Sequence, residues 1–545
     1  MKKLQSAILL GLVLLSACTG VPQTAVTPTT ETTATLPEAQ VYTTPTPDAQ
    51  SAAKAFLDAW SAENYAAMYD QLTTLSRDAI SADDFSAELK DVAATMSLKE
   101  VKFELLQSYV KNTKEAQVAY RATYTTVLVG DVARETTMNL TLQDGIWKIQ
   151  WEDGMILPEL RGGNHLAMDI TVPTRGNIYD INGNALAAQT DAIALGIIPG
   201  QIEDGREGQL LTELSNLTGL NSDYIQSLYE YAGADWYIPV ADVPAAAVEE
   251  RLDVLSSLGG LTLSRYNTRY YFDSAAPHVV GYVQPIYAEN LEEYRRKGYK
   301  ADEMVGAAGI ELWAENYLSG QRGAALYVVD SQGVRTTRLG QSSAGPAYSV
   351  YTTFDMDFQE QVERAIDGFR GAAVVIEVNT GRVLAMASSP SFNPNLFDAN
   401  NYNSNLGLQE LYASTEQPLL NRATQGTYPL GSVFKIITMA TALETGAFDT
   451  TQTYECGYTF TDLPGITLYD WTYEKDYPPS GTLNLPEALM RSCNIWFYHI
   501  GVSMYDQGYT EDVSKMARAF GLGSKTGIEV LDEAAGNMPN PTSDL

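Results

Sequence analysis

Residues 19–50, TGVPQTAVTPTTETTATLPEAQVYTTPTPDAQ, divide the chain before any structural element is assigned. The stretch is rich in Thr and Pro and has few large apolar residues, so it cannot bury a core and reads as an extended tether. Before it stand Lys2 and Lys3, then a mainly apolar run over residues 4–15. That run is too short to span a bilayer comfortably and has the layout of an export signal. Whatever folds must therefore begin near Ser51 and is expected to fold outside the cytoplasm.

At 545 residues the chain is long enough for several domains. Its 67 acidic against 35 basic residues give a formal charge of -32, which argues against a nucleic-acid partner because such a partner wants a basic face. Three histidines (His165, His278, His499) and three cysteines (Cys18, Cys456, Cys493) form no CxxC or HExxH pattern. A zinc site and a Ser-His-Asp triad are both poorly supplied, and neither a metal nor a cofactor is expected. Nucleophilic chemistry would then use a base other than histidine.

Cys18 closes the sequence LSAC at residues 15–18, which resembles the lipobox of bacterial lipoproteins. The resemblance implies cleavage before Cys18 and a lipid on its sulfur, making it a membrane anchor. Export leaves two readings open for Cys456 and Cys493: a disulfide, which oxidising compartments preserve, or two separate buried thiols.

From Ser51 the residues Ala52, Ala53, Phe56, Leu57, Trp60, Tyr65, Met68 and Tyr69 recur at helical spacing. The period then changes to two. Val118, Tyr120, Ala122 and Tyr124 alternate with polar residues, as do Met138, Leu140 and Leu142, and Asp144-Gly145 precedes Trp147, Ile149 and Trp151 as a hairpin turn would. A helix followed by a curved antiparallel sheet is expected over residues 51–157. With its W-x-I-x-W ending and the nearby Pro158, this stretch resembles the NTF2-like N-terminal domain of methicillin-resistance-type penicillin-binding proteins. That resemblance implies a cone, which in such folds can hold a ligand; a filled aromatic core and a spacer role are expected.

RGNIYDINGNALA (residues 175–187) places turn signals at Gly176 and Asn182-Gly183 around a short strand, Ile178 and Tyr179, with Asp180 able to accept from the turn's backbone. It resembles the signature opening the non-catalytic dimerisation, or pedestal, domain of class B penicillin-binding proteins. Two further segments resemble that domain in the same order. One is RYNTRYYFDSAAPHVVGYV (residues 265–283), where Tyr271-Phe272 replaces the usual Tyr-Pro; the other is GAAGIELWAENYLSGQRG (residues 306–323).

GAAVVIEVNTGRVLAMASSPSFNPN (residues 371–395) has a hairpin pattern, with Asn379-Thr380-Gly381 as the turn. An apolar helix is expected after YPLGS (residues 428–432), with Ser432 at its start and Gly446 past its end. Ser-x-x-Lys is a weak signal alone and recurs at Ser51/Lys54 and Ser108/Lys111. At Ser432/Lys435 it gains force. Positions i and i+3 share a helix face, the helix N-terminus favours developing negative charge, and a lysine among Val433, Phe434, Ile436 and Ile437 is expected to be partly desolvated, with a lowered pKa. Ser492-Cys493-Asn494 follows between two apolar segments, LNLPEALMR and IWFYHIG. SFN at residues 391–393 has the same form, but it precedes Ser432 and falls in a loop.

Together these segments resemble the S-x-x-K and S-x-N motifs of penicillin-binding-protein transpeptidases. The resemblance implies D,D-transpeptidation of peptidoglycan stem peptides. Ser432 would be the nucleophile, Lys435 its base, Ser492 a proton relay and Asn494 a substrate-binding residue, with β-lactams acylating Ser432. Leu430 stands where the usual motif has a second proline. The family's third motif, K-[ST]-G on a strand, has only Lys525-Thr526-Gly527 as a candidate, and its glycine-rich surroundings read as a loop. A C-terminally truncated chain is expected on that ground.

The expected fold class is multidomain α+β: an NTF2-like cone, a penicillin-binding-protein pedestal domain over 158–340, and an incomplete α/β serine-transpeptidase domain over 341–545. The expected partners are stem peptides with a D-Ala-D-Ala donor and an amine acceptor, β-lactam antibiotics, the membrane through the lipid anchor, and cell-wall synthesis proteins on the pedestal. Competing readings are a β-lactam-responsive sensor or serine β-lactamase on the same fold, and a non-catalytic cell-wall scaffold.

Overall fold

The structure, a computed structural model, describes residues 48–539 and Thr542. Cys18 and most of the tether lie outside the described residues. No helix among those described is long and apolar enough to cross a membrane.

The helical spacing seen from Ser51 resolves into two helices, Ala49–Ser61 and Tyr65–Asp70. Between them Glu63 takes a left-handed φ of 53°, and the Asn64 side chain accepts from Ala67 N, so a new N-cap interrupts what the periodicity read as one run. A longer helix, Ala82–Thr95, was not anticipated, although Ser81 caps it and Phe85, Leu89 and Ala93 bury one face at helical spacing.

Four antiparallel strands follow in sequence order: Leu98–Val110, Glu115–Thr126, Gly130–Gln143 and Ile146–Gln150. Positive φ at both Asp144 and Gly145 makes the last hairpin turn the type that matches strand twist. The sheet wraps a core of Phe56, Trp60, Phe85, Tyr120, Tyr124, Met138 and Ile149. Its buried tyrosine hydroxyls are satisfied by backbone, Tyr120 donating to Met155 O (2.5 Å) and Tyr124 to Ile156 O (2.6 Å). The same core takes in Leu166, Leu326 and Val328 from the next sheet, so the N-terminal domain is welded to the foot of the pedestal.

Glu88, half-buried on helix Ala82–Thr95, has its carboxyl pushed up to about 7, first by burial and then by the charge of Asp153. A raised acid binds its proton more readily in the folded state. The stability it contributes is therefore full below about 4.5 and is lost as pH rises through about 7. Glu88→Gln is expected to remove this dependence and raise the melting temperature at pH 8 but not at pH 5. Equal shifts at both pH values would contradict the assignment.

The pedestal is built on strand Ala185–Ile197, which pairs with Leu261–Tyr271 on one side and with Ile178–Tyr179 and Ile238–Pro244 on the other. Asp180 behaves as its sequence setting requires, accepting from the backbone N–H of Asn182, Asn184 and Met356. The three pedestal segments read in sequence converge on one buried carboxylate. Glu311 accepts from Arg175 Nε (2.8 Å), Arg269 Nε (2.7 Å) and Tyr271 OH (3.2 Å). Gly176 must be glycine because a Cβ there would lie 2.1 Å from Tyr348 O, and its own carbonyl accepts from Arg269 Nη1 at 2.7 Å.

The C-terminal part holds the hairpin Gly371–Ile376/Val383–Ser389, backed by helix Met356–Ile366. The buried Gln359 amide both donates to Met386 O (2.9 Å) and accepts from Met386 N (2.8 Å), tying the helix to the strand. Among the described residues the hairpin is a two-stranded sheet, and Val374 and Ile376 on its outer face are exposed. Beyond it, helices Lys435–Glu444, Leu485–Met490 and Asn494–Asp506 pack around Trp496, Phe460 and Ile500.

Candidate active site

Ser432 lies on a 3-10 turn, Gly431–Phe434, that runs directly into the α-helix Lys435–Glu444, so it sits one turn ahead of the position the sequence suggested. Gly431 supplies the positive φ (58°) that starts the turn, and Gly446 ends the helix with φ 71°. A 3-10 turn eclipses residues i and i+3. Lys435 Nζ is accordingly 3.3 Å from Ser432 Oγ.

Helix Leu485–Met490 opens with a complete capping box between Asn484 and Glu487 and stops just before Ser492. Ser492 takes a left-handed φ of 52°, and helix Asn494–Asp506 starts two residues later. This reversal points Ser492 and Asn494 back at the lysine. Lys435 Nζ donates to Ser492 O at 2.7 Å and to Asn494 Oδ1 at 2.6 Å, with Ser492 Oγ at 3.2 Å. The Ser492 and Ser432 hydroxyls are 2.9 Å apart. The structure thus gathers Ser432, Lys435, Ser492 and Asn494 into one hydrogen-bonded cluster.

The amine is poised for base chemistry. Burial lowers its pKa below the ordinary lysine value, and the charge of Asp470 partly opposes the shift. The burial does not come from all the neighbours named in sequence: Val433 and Ile436 are 66% and 51% exposed, while Ile437 is buried. The Phe497 ring, 5.7 Å away, and the 492–494 turn cover the amine instead. When neutral, the amine has two N–H bonds and one lone pair. The strong acceptors Ser492 O and Asn494 Oδ1 take the two N–H bonds, which leaves the lone pair for the Ser432 hydroxyl.

Cys456 and Cys493 form a disulfide, with Cα atoms 6.3 Å apart, settling the choice the sequence left open. It ties the middle residue of the S-x-N turn to strand Thr453–Cys456 across 37 residues. Both sulfurs and Asp470 lie within 4.8 Å of one another, but bonded sulfurs offer no thiolate to a metal. Closing a loop of this length stabilises by about 4 kcal/mol. Cys456→Ser combined with Cys493→Ser is expected to lose that amount in urea unfolding, and a reductant should do the same to the wild type. An unchanged midpoint in both would contradict the bond.

Lys525-Thr526-Gly527 is exposed and lies in no strand; Thr526 Oγ1 and Gly527 N donate to Glu533 at 2.5 Å and 3.0 Å. Asn393 of SFN accepts from Ser274 Oγ at 3.1 Å and caps the turn Pro394–Phe397. A cavity of about 630 Å³ opens between the pedestal and helices Met356–Ile366 and Ser404–Ala413, and none of the four clustered residues lines it. Sequence reasoning missed Asp470 behind the turn. It stands in LYDWTYE, where no spacing or motif marks it.

Three family models match the chain in order. An NTF2-like N-terminal transpeptidase domain covers residues 48–164, a penicillin-binding protein dimerisation domain 170–352, and a penicillin binding protein transpeptidase domain 371–544. The chain is 30% identical over 392 residues to the peptidoglycan D,D-transpeptidase MrdA of Escherichia coli (strain K12), covering 69% of this chain and 59% of that protein. It is 28% identical over 354 residues to penicillin-binding protein 3 of Bacillus subtilis (strain 168), covering 63% and 52%. Among solved structures, it is 24% identical to a complex between PBP2 and MreC from Helicobacter pylori, covering 69% of each chain with a TM-score of 0.49. The chain therefore spans a little over half the length of the curated relatives it matches. With all three family models met in order and the arginines and glutamate of the pedestal segments joined in one buried network, the chain belongs to the class B penicillin-binding proteins that carry an NTF2-like N-terminal domain.

Proposed function

We propose that the protein is a peptidoglycan D,D-transpeptidase, anchored by lipid at Cys18 on the outer side of a bacterial membrane and held off it by the tether and the NTF2-like spacer. The observation that carries this reading is the cluster in which Lys435 reaches Ser432, Ser492 and Asn494 at once.

In the proposed cycle Ser432 Oγ attacks the carbonyl of the penultimate D-Ala of a stem peptide while its proton passes to neutral Lys435. The peptide C–N bond breaks, and the departing D-Ala amine takes a proton relayed through Ser492. Asn494 Nδ2 donates to Tyr469 O at 3.2 Å, which leaves this amide at the cleft edge to meet the donor peptide. An amine on a neighbouring stem then attacks the ester, gives up a proton to Lys435, and releases Ser432 as the new amide forms. A β-lactam enters as a mimic of D-Ala-D-Ala and stops at the ester. Other cell-wall synthesis proteins are assigned to the pedestal, where Tyr231 and Trp236 stand 89% and 65% exposed.

The test is exposure of the protein to a fluorescent penicillin, followed by proteolysis and mass spectrometry. The expected result is one adduct, on the peptide that contains Ser432. No adduct, or an adduct elsewhere, would refute the reading.

A further inference from the structure

The S-x-N turn is backed by a segment no motif covers. Ser492 is not glycine, yet its φ of 52° lies in the left-handed region, a conformation that persists only where surrounding contacts impose it. Those contacts come from four sides, one on each residue of the turn. Trp471 Nε1 donates to Arg491 O at 3.1 Å, Lys435 Nζ to Ser492 O at 2.7 Å, Cys456 bonds Cys493, and Asn494 N donates to Asp470 Oδ1 at 2.7 Å.

Asp470 is fully buried. Its other oxygen accepts from Thr472 N at 3.2 Å and Thr472 Oγ1 at 2.7 Å, and its own N–H donates to Tyr458 O at 2.9 Å. A buried carboxylate is costly unless it is fully engaged, and every strong contact of this one serves the 469–472 segment or the turn. We propose that Asp470 is a positioning residue of the transpeptidase site: it holds Asn494 N–H, and through it fixes the strained Ser492 so that the Ser492 and Asn494 side chains meet Lys435. The inference rests on the function proposed above.

Asp470 also acts at a distance, as a charged group whose field resists the lowering of the Lys435 pKa. The remaining groups around the amine are Ser432, Ser492, Asn494 and the Phe497 ring, none of them charged. On the far side, the charges of Asp470 and Glu474 both act on the Tyr498 hydroxyl and, after its burial, help to raise its pKa. Removing the Asp470 charge therefore lowers the Lys435 pKa further. A positional error of about 1 Å at a reacting group costs on the order of 100-fold in rate.

The experiment measures penicillin acylation rates against pH for wild type, Asp470→Ala, Asp470→Asn and Thr472→Val, with hydrogen exchange of the peptide carrying the Asn494 amide. Asp470→Ala is expected to acylate about 100-fold more slowly and to lose protection at Asn494. Asp470→Asn keeps an acceptor and is expected to recover most of that rate, with its rising pH limb displaced to lower pH. Thr472→Val should fall between. Wild-type rates and an unshifted pH limb in Asp470→Asn and Thr472→Val would overturn the proposal, even if Asp470→Ala does not fold. If wild type itself takes up no penicillin, the functional reading fails. The exchange data still decide the positioning: unchanged protection at Asn494 in Asp470→Asn and Asp470→Ala overturns it, and lost protection in Asp470→Ala supports it.

Discussion

Ser432→Ala is expected to abolish covalent capture of penicillin, whereas Lys435→Met should slow capture by about 100- to 10,000-fold, the range a positioned general base contributes. The two variants should differ because, in the proposed cycle, Ser432 supplies the atom that becomes bonded and Lys435 only moves its proton. Methionine keeps the length of the stem under Phe497 but has no lone pair basic enough to take the proton from an oxygen 3.3 Å away. It also leaves Ser492 O and Asn494 Oδ1 without their 2.7 Å and 2.6 Å donor, so part of the loss is loosening of the turn. The pH profile separates these effects. In the proposed cycle the neutral amine is the active form, so the wild-type rate is expected to rise with pH toward a lysine pKa that burial sets below 10.5. Lys435→Met is expected to lose that limb as well as the rate. A flat profile in wild type would show that Lys435 is not the base.

How far the sequence speaks depends on whether a contact is local. Ser432 and Lys435 were legible because three residues on one turn determine their proximity, and the Asp144-Gly145 hairpin because its two residues determine its conformation. The 492–494 turn was found only by its order after Ser432, since 60 residues separate the two hydroxyls that the structure places 2.9 Å apart. The Cys456–Cys493 bond was undecidable for the same reason: spacing of 37 residues fits a bond and two thiols equally. Asp470 was invisible because its partners are a backbone N–H and a threonine, groups every sequence contains. The desolvation of Lys435 agrees with its sequence setting, but its source differs because adjacency in sequence is not adjacency in space. Residues 433 and 436 flank it on the helix but face away, and the side chain that covers it is Phe497.

The pedestal offers the opposite case, in which distant motifs were found as separate patterns and the structure supplies the reason they occur together. Glu311 is fully buried, and Arg269 and Arg175 beside it are 3% and 12% exposed in their side chains. Burial works against its charge, but the Arg269 and Arg175 guanidiniums prevail and hold the carboxyl below the usual glutamate range. Arg175 also reaches Glu315 at 2.8 Å, so two arginines and two glutamates balance. Replacing such an ensemble whole with apolar residues can be neutral, but removing one member strands its partners.

Glu311→Ala is therefore expected to destabilise the folded protein by about 3–5 kcal/mol, the cost of leaving buried guanidiniums uncompensated. Glu311→Gln keeps the shape but not the charge and should lose a large part of the same amount. The pH dependence has a definite sign. A carboxyl whose folded pKa is depressed contributes stability that is present above about 4.5 and lost as pH falls through the folded value. The gap between wild type and Glu311→Gln should therefore close in acid. Glu311 lies in the pedestal network, while Ser432 and Lys435 stand beside a different core, built on Trp496 and Cys493. Penicillin capture per folded molecule should thus stay at the wild-type rate in Glu311→Gln even as the unfolding midpoint drops. Denaturant unfolding and labelling on the same samples measure both. A loss under about 1 kcal/mol would show that the arginines find other partners, and slowed labelling of folded protein would show that the pedestal network reaches the serine.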